Sequence, residues 1–169
     1  MNDIAKKSVI IEPPFIFKNG SVFSDPLTIV YETLGTLNTK KNNAILVTTG
    51  LSPSAHIAST ADDSSPGWWE NIVGKDKPID TNEYFVICVN SLGSCFGSSG
   101  PSSKDPESGK RYRLSFPEIS IEDIASSIKP VIDGLGIERL KAIVGPSMGG
   151  MTALSLINQY PNIANELVL

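Results

Sequence analysis

The chain has 169 residues, 40% of them hydrophobic and 19% charged, with a formal net charge of −4, which is enough for one good core, so one domain over residues 1–169 is expected. No segment concentrates basic charge, which argues against nucleic acid as a partner. No apolar run approaches the roughly 20 residues of a membrane helix, and the start MNDIAKKSVIIEPPF lacks a signal peptide's apolar stretch, so the cytoplasm is expected.

In chain order, Leu27 to Leu34 alternates apolar and polar residues up to Gly35, as a half-buried antiparallel strand would. Ala44 to Thr48 is a short apolar run suited to a strand covered on both faces, and it leads into Gly50. Residues 51–83, with Pro53, Pro66, Gly67 and Pro78, read as irregular, with a helical possibility around Trp68 to Val73. Tyr84 to Val89 is the clearest buried strand, and a long surface loop from the Gly/Ser-rich stretch after it to Pro117 is expected. Ser120 then offers an N-cap with Asp123 three residues on, and Ile121, Ile124, Ala125, Ile128, Ile132 and Leu135 share one helical face. Pro130 should kink that helix, and Gly134 and Gly136 should end it. Leu140 to Val144 reads as another buried strand, Met151 to Tyr160 as a helix, and Leu167 to Leu169 as a further strand. Strands alternating with helices toward the C-terminal end predict a mostly parallel sheet flanked by helices. Cys88 and Cys95 match neither a disulfide framework nor a zinc pattern, and read as a buried strand cysteine and a loop cysteine; no metal is expected.

Gly145-Pro146-Ser147-Met148-Gly149 lies between the Leu140 strand and the Met151 helix, and it is a G-x-S-x-G nucleophile elbow. A sharp strand-to-helix turn lifts the serine hydroxyl above the sheet, and glycines at 145 and 149 remove side chains that would collide there. The backbone N–H of Met148, at the positive end of the following helix, can face an oxyanion as charge develops. Five such residues can also meet by chance in a chain with 14 Gly. Position after a β-branched strand and before a helix favours the functional reading, with Ser147 as nucleophile in an α/β-hydrolase-type fold.

Gly50-Leu51-Ser52-Pro53-Ser54-Ala55-His56 directly follows the Ala44 strand, where this fold supplies its other oxyanion amide. Leu51 is the candidate donor, and Gly50, Ser52, Pro53, Ser54, Ala55 and His56 are candidates for binding or specificity. His56 is the one histidine, yet the fold orders its triad as serine, acid, histidine along the chain. A role lining or buttressing the pocket is therefore expected for it. Trp68 and Trp69 read as a packing anchor under this loop, with an adenine-stacking surface as the alternative. The stretch Gly93 to Gly100 lacks the Gly-Lys-Ser/Thr of a phosphate cradle.

The strings GLSPSAHIAS, GWWENIVGKDKPIDTNEYFVICVNSLGSC, GSSGPSS, SFPEISIEDI and GIERLKAIVGPSMGGMTAL, in unbroken order over about residues 25–169, resemble the homoserine O-acetyltransferase family and its relatives that acylate homoserine or serine. The resemblance implies transfer of an acetyl or succinyl group from acyl-CoA, as co-substrate, to a small hydroxy amino acid through an acyl-serine intermediate, in methionine or cysteine biosynthesis. It implies no tightly bound cofactor and homodimers among full-length homologues. Ser147 matches the family nucleophile, and Leu51 and Met148 match its oxyanion amides. Two features depart from the pattern: Pro146 stands where Gly or Asn is commoner, and GLSPSAH is closer to serine O-succinyltransferase members.

After Ser147 the one acidic residue is Glu166, and no histidine follows. The chain is therefore expected to be the N-terminal portion of the fold, lacking the lid and C-terminal strands that hold the triad Asp and His, and to be incompetent alone. Two alternatives stand beside the acyltransferase reading: an ester or thioester hydrolase on the same fold, and a remnant without catalysis.

Overall fold

The structure is a computed structural model that describes residues 6–169; Met1–Ala5, the start of the N-terminal segment read above, lie outside the described residues. In chain order the elements are β1 (Lys7–Ile11), β2 (Phe15–Ile16), β3 (Val22–Phe23), β4 (Leu27–Leu34), β5 (Ala44–Thr48), β6 (Val73–Gly74), β7 (Ile79–Asp80), β8 (Phe85–Val89), α1 (Ile121–Gly134), β9 (Leu140–Val144), α2 (Met148–Gln159) and β10 (Ala164–Val168). Six strands form one sheet in the order β1-β4-β8-β5-β9-β10. The β1–β4 and β4–β8 pairs are antiparallel, and the β8–β5, β5–β9 and β9–β10 pairs are parallel. This is an α/β-hydrolase-type sheet, antiparallel at its leading edge and parallel thereafter.

Every residue of β5 and β8 is buried, as continuous apolar runs in a doubly covered sheet require. Alternate residues of β5 feed different cores. Ala44 and Leu46 join Ile87, Ile143 and the apolar stripes of both helices, whereas Ile45 and Val47 join Ile57, Val73, Val86 and Cys88. Both helices thus share one face of the sheet, and the irregular segment after β5, with Trp68 and Trp69, covers the other.

Helix α1 starts as its residues dictate. Ser120 Oγ accepts from the Asp123 N–H, and the Asp123 carboxylate accepts from the Ser120 N–H at 2.8 Å, a complete capping box. The helix continues through Pro130 to Gly134. It ends in a Schellman turn: Gly136 at φ +68° lets its own N–H reach Asp133 O and lets Ile137 N–H reach Ile132 O. Lys41 Nζ donates to Leu135 O at 2.9 Å, adding a cation at the negative helix end.

Two expectations change. β4 is buried on both faces, Glu32 being 2% exposed, because its polar side is covered and given a partner by the segment after β5. The stretch after β8 is not purely surface loop, since Leu92, Ser98 and Ser99 are buried. Ser98 Oγ accepts from Val30 N–H and donates to Asn90 O, and Ser99 Oγ accepts from Thr28 N–H. These hydroxyls and the Ser99 N–H, which donates to Thr28 O, satisfy β4 where β8 does not pair with it. Cys88 is buried, and burial beside Glu32 pushes its thiol pKa far up; Cys95 is exposed, and both are free. Among the described residues no helix is long and apolar enough to cross a membrane.

Candidate active site

β9 delivers the chain into the elbow. A Cβ on Gly145 would lie 2.6 Å from Gly149 O and 2.8 Å from Gly150 Cα, closer than side-chain atoms approach backbone. The turn therefore requires glycine at its first position. Ser147 has φ 56° and ψ −129°, a conformation that L residues rarely adopt and that costs on the order of 1–3 kcal/mol. Ser147 occupies the N-cap of α2, where a serine hydroxyl ordinarily bonds to the first-turn amides, but its side chain makes no capping bond. The residue is exposed. Its hydroxyl is held out, available for other chemistry.

Packing of α2 against the end of β5 fixes the elbow's position. Thr48 Oγ1 donates to Gly149 O at 2.8 Å, and a Cβ on Gly149 would lie 2.2 Å from Thr48 O. Beyond Thr49 the chain turns at Gly50, whose hypothetical Cβ would be 3.7 Å from Ser147 Cβ and 3.8 Å from Pro146 O. The backbone that carries Leu51 is thereby brought beside Ser147 from a neighbouring strand. Gly149 and Gly150 N–H groups donate to Pro146 O and Ser147 O, but those of Leu51 and Met148 have no acceptor among the described residues. The unpaired Met148 amide lies at the positive end of α2, and the unpaired Leu51 amide follows Gly50, which packs beside Ser147.

The loop after Leu51 is fastened from several sides. Ala55 N–H donates to the side-chain oxygen of Asn90, which is 1% exposed, and Asn90 Nδ2 donates to Phe96 O at 2.9 Å. Trp68 Nε1 donates to Ser54 O at 2.9 Å, and Trp69 N–H to Ile57 O. The two indoles stack with centroids 5.1 Å apart and pack on the core of this face, so they act as an anchor under the loop. Glu70 accepts from the N–H groups of Ser59 and Gly67 and from the Ser59 hydroxyl, which together hold its carboxyl down at about 2.

His56 Nδ1 lies 2.9 Å from Glu32 Oε2 and its Nε2 lies 2.8 Å from Ser65 O, so both ring nitrogens are engaged away from Ser147. Burial alone would lower its pKa; the Ser65 carbonyl, then Glu32, then the charge of Asp63 more than offset that and raise it above its ordinary value. The ring buttresses the loop. Ser52 and Leu51 are exposed at the loop's start, whereas Ala55 is buried and Pro53 and Ser54 half-buried. Glu32, Asn90 and Thr48, which position the loop and the elbow, carry no motif that would single them out in sequence. No group of three or more His, Cys, Asp or Glu among the described residues could hold a metal ion. A cavity of about 620 Å³ lined by Thr33, Ser59, Glu70, Lys75 and Lys77 contains no elbow residue, and its Glu70–Lys77 ion pair is already satisfied, so the geometry favours the elbow.

A parallel strand that runs through a Gly-x-Ser-x-Gly turn into a helix, beside two unpaired amides, defines the class of α/β proteins built on a nucleophile elbow. Residues 44–169 match the alpha/beta hydrolase fold family, and the chain belongs to that family. The chain is 55% identical over 153 residues to a serine O-succinyltransferase of Xanthomonas campestris pv. campestris, a match covering 90% of this chain and 40% of that protein. The crystal structure of a homoserine O-acetyltransferase from Bacillus anthracis superposes with a TM-score of 0.85 at 36% identity, over 96% of this chain and 45% of that one. The crystal structure of esterase E22 superposes with a TM-score of 0.82, also at 36% identity, over 94% and 45%. The chain thus spans about 40% of the length of the curated relative it matches.

Proposed function

We propose that this chain carries the nucleophile and oxyanion half of an amino-acid O-acyltransferase site, with Ser147 as nucleophile and the Leu51 and Met148 amides as oxyanion donors. The observation that carries the reading is the exposed, uncapped Ser147 hydroxyl at a strained strand-to-helix turn, with Gly50, which precedes Leu51, packed beside it. Ser147 Oγ attacks the thioester carbonyl of acetyl- or succinyl-CoA, the C–S bond breaks, and the thiol leaves with a proton. The hydroxyl of serine or homoserine then attacks the acyl-serine, forming the new ester and returning Ser147. Residues Gly50 and Ser52 to Ala55 shape the pocket wall next to the donor loop. Amino-acid and CoA substrates place the reaction in the cytoplasm, in methionine or cysteine synthesis.

Serine at neutral pH needs an imidazole to take its proton as attack begins. The one histidine here is committed to Glu32 and Ser65. In this reading the general base is not among these 169 residues. The isolated chain, given acyl-CoA plus serine or homoserine, should release thiol no faster than its Ser147→Ala variant. An activated aryl ester, whose leaving group needs less help, should deposit one acyl equivalent on Ser147, identified by peptide mass spectrometry. Equal labelling of the Ser147→Ala protein would refute the assignment. The likeness to an esterase structure keeps hydrolysis as a second reading. Chasing the acylated protein with homoserine or serine separates the two, because an acyltransferase yields the O-acyl amino acid and a hydrolase the free acid.

A further inference from the structure

The oxyanion loop is joined to β4 by a contact that the acyl-transfer chemistry does not itself require. Glu32 is buried in the sheet, its side chain 3% exposed, and its carboxylate faces a His56 ring that is itself 14% exposed. Across that ring, Nε2 reaches Ser65 O at 2.8 Å and Ser65 Oγ at 3.2 Å. Ser65 is fixed in turn, its N–H and hydroxyl both donating to Asp63 Oδ1. His56 therefore bridges the sheet to the returning limb of the loop. One residue away, Ala55 N–H is held by Asn90.

The proton count of this bridge follows from its partners. A carbonyl only accepts, so Nε2 must carry hydrogen, and a carboxylate only accepts, so Nδ1 must carry hydrogen too. The arrangement is satisfied by an imidazolium. Loss of one proton leaves either a bare Nδ1 lone pair against the Glu32 carboxylate at 2.9 Å or a bare Nε2 lone pair against the Ser65 carbonyl at 2.8 Å, so one end of the bridge becomes repulsive. The charged or titratable groups around the ring are Glu32 on β4, Asp63 on the loop, and Cys88 on β8, the register partner of Glu32. Asp63 has its pKa lowered by the Ser65 hydroxyl and amide, and Cys88 is pushed far up by burial. His56, whose ordinary pKa is about 6.5, has it raised here.

We propose that Glu32 and His56 form a proton-dependent latch that positions the Leu51 amide for the oxyanion, so that His56 is a positioning residue rather than the general base. This rests on the acyl-transfer reading of Ser147. The sign follows from a raised histidine pKa: the latch is fully present below the ordinary value of about 6.5 and is lost as pH rises through the higher folded value.

Glu32→Gln separates the latch from its proton. A glutamine amide can donate to a bare Nδ1 or accept from a protonated one, so the bridge persists at either charge state. Because His56 is the one histidine in the chain, its ring nitrogens can be followed without assignment by NMR, together with the Leu51 amide. Wild type should show an imidazole titrating above the ordinary value of about 6.5 and a Leu51 amide shift that tracks its deprotonation. As His56 deprotonates, the aryl-ester burst rate of wild type should fall about tenfold relative to Glu32→Gln, the order of effect expected when a donor moves by a fraction of an ångström. Glu32→Ala, if folded, should be slow at all pH values. A Leu51 amide indifferent to the His56 titration, or a Glu32→Gln protein with the pH dependence of wild type, would overturn the latch. If Ser147 takes no acyl group in any variant, the functional reading fails instead, and the NMR titration still decides the latch.

Discussion

Gly149→Ala tests how closely the two halves of the candidate site are fitted together. The added Cβ would lie 2.2 Å from Thr48 O, 2.9 Å from Thr48 C and 3.0 Å from Thr49 O, all backbone atoms that no rotamer change can move aside. Contact at ordinary van der Waals distance requires α2 and the end of β5 to part by about 1 Å. Overpacking of this kind costs about 1–3 kcal/mol, and weakening the Thr48–Gly149 hydrogen bond adds about 1 kcal/mol. Alanine's better helix propensity returns about 1 kcal/mol. The net loss is about 1–3 kcal/mol, which for a chain of this size lowers Tm by about 2–12 °C. Thermal unfolding followed by far-UV circular dichroism measures it, and the aryl-ester burst should be lost together with the stability. Gly134→Ala is the control, since nothing lies within 4 Å of its added Cβ and it sits in the last turn of α1. It should raise stability by about 0.5–1 kcal/mol. A Gly149→Ala protein as stable as wild type would refute the packing argument.

Other outcomes follow from the loop's fastenings. Asn90→Ala removes the acceptor of the Ala55 N–H and the donor to Phe96 O at a buried position, so it should cost about 2 kcal/mol and speed hydrogen exchange at Ala55. Glu70 has a depressed pKa, so its stabilising contribution is present above the ordinary carboxylate range and lost as pH falls toward about 2. The Ser59 and Gly67 amides should keep slow exchange at pH 4 and lose it together below that; loss at pH 4 would show that Glu70 does not hold them.

Strands β5, β8 and β9 and helix α1 were legible because their signals are local: unbroken apolar runs, a capping box, and a glycine stop. β1 has two partly buried apolar residues among exposed ones, and β2, β3, β6 and β7 have two residues each, too short to show any period. α2 begins at Met148 rather than Met151, because the elbow folds straight into the helix although Gly149 and Gly150 weaken its helical pattern. β10 likewise begins earlier, at Ala164. The elbow itself was legible as a motif. Its supports were not, since Glu32 sits where alternation predicts solvent, and its partner His56 comes 24 residues later on a loop. Burial of Glu32 is a tertiary fact that periodicity does not record.

Strand order has a temporal consequence. Leu51 follows β5 and Met148 follows β9, so the two candidate donors stand about a hundred residues apart in sequence but on adjacent strands. β5 also pairs with β8 on its other side, a contact between residues far nearer in sequence. Closing the shorter loop carries the smaller entropy loss, so β5 and β8 can associate while β9 is still unplaced. Until β9 docks, an emerging chain presents the Leu51 amide without its counterpart. Acquisition of the aryl-ester burst during refolding would then serve as a clock for β9 docking, one that secondary-structure signals, already developed by α1 and the earlier strands, would not resolve.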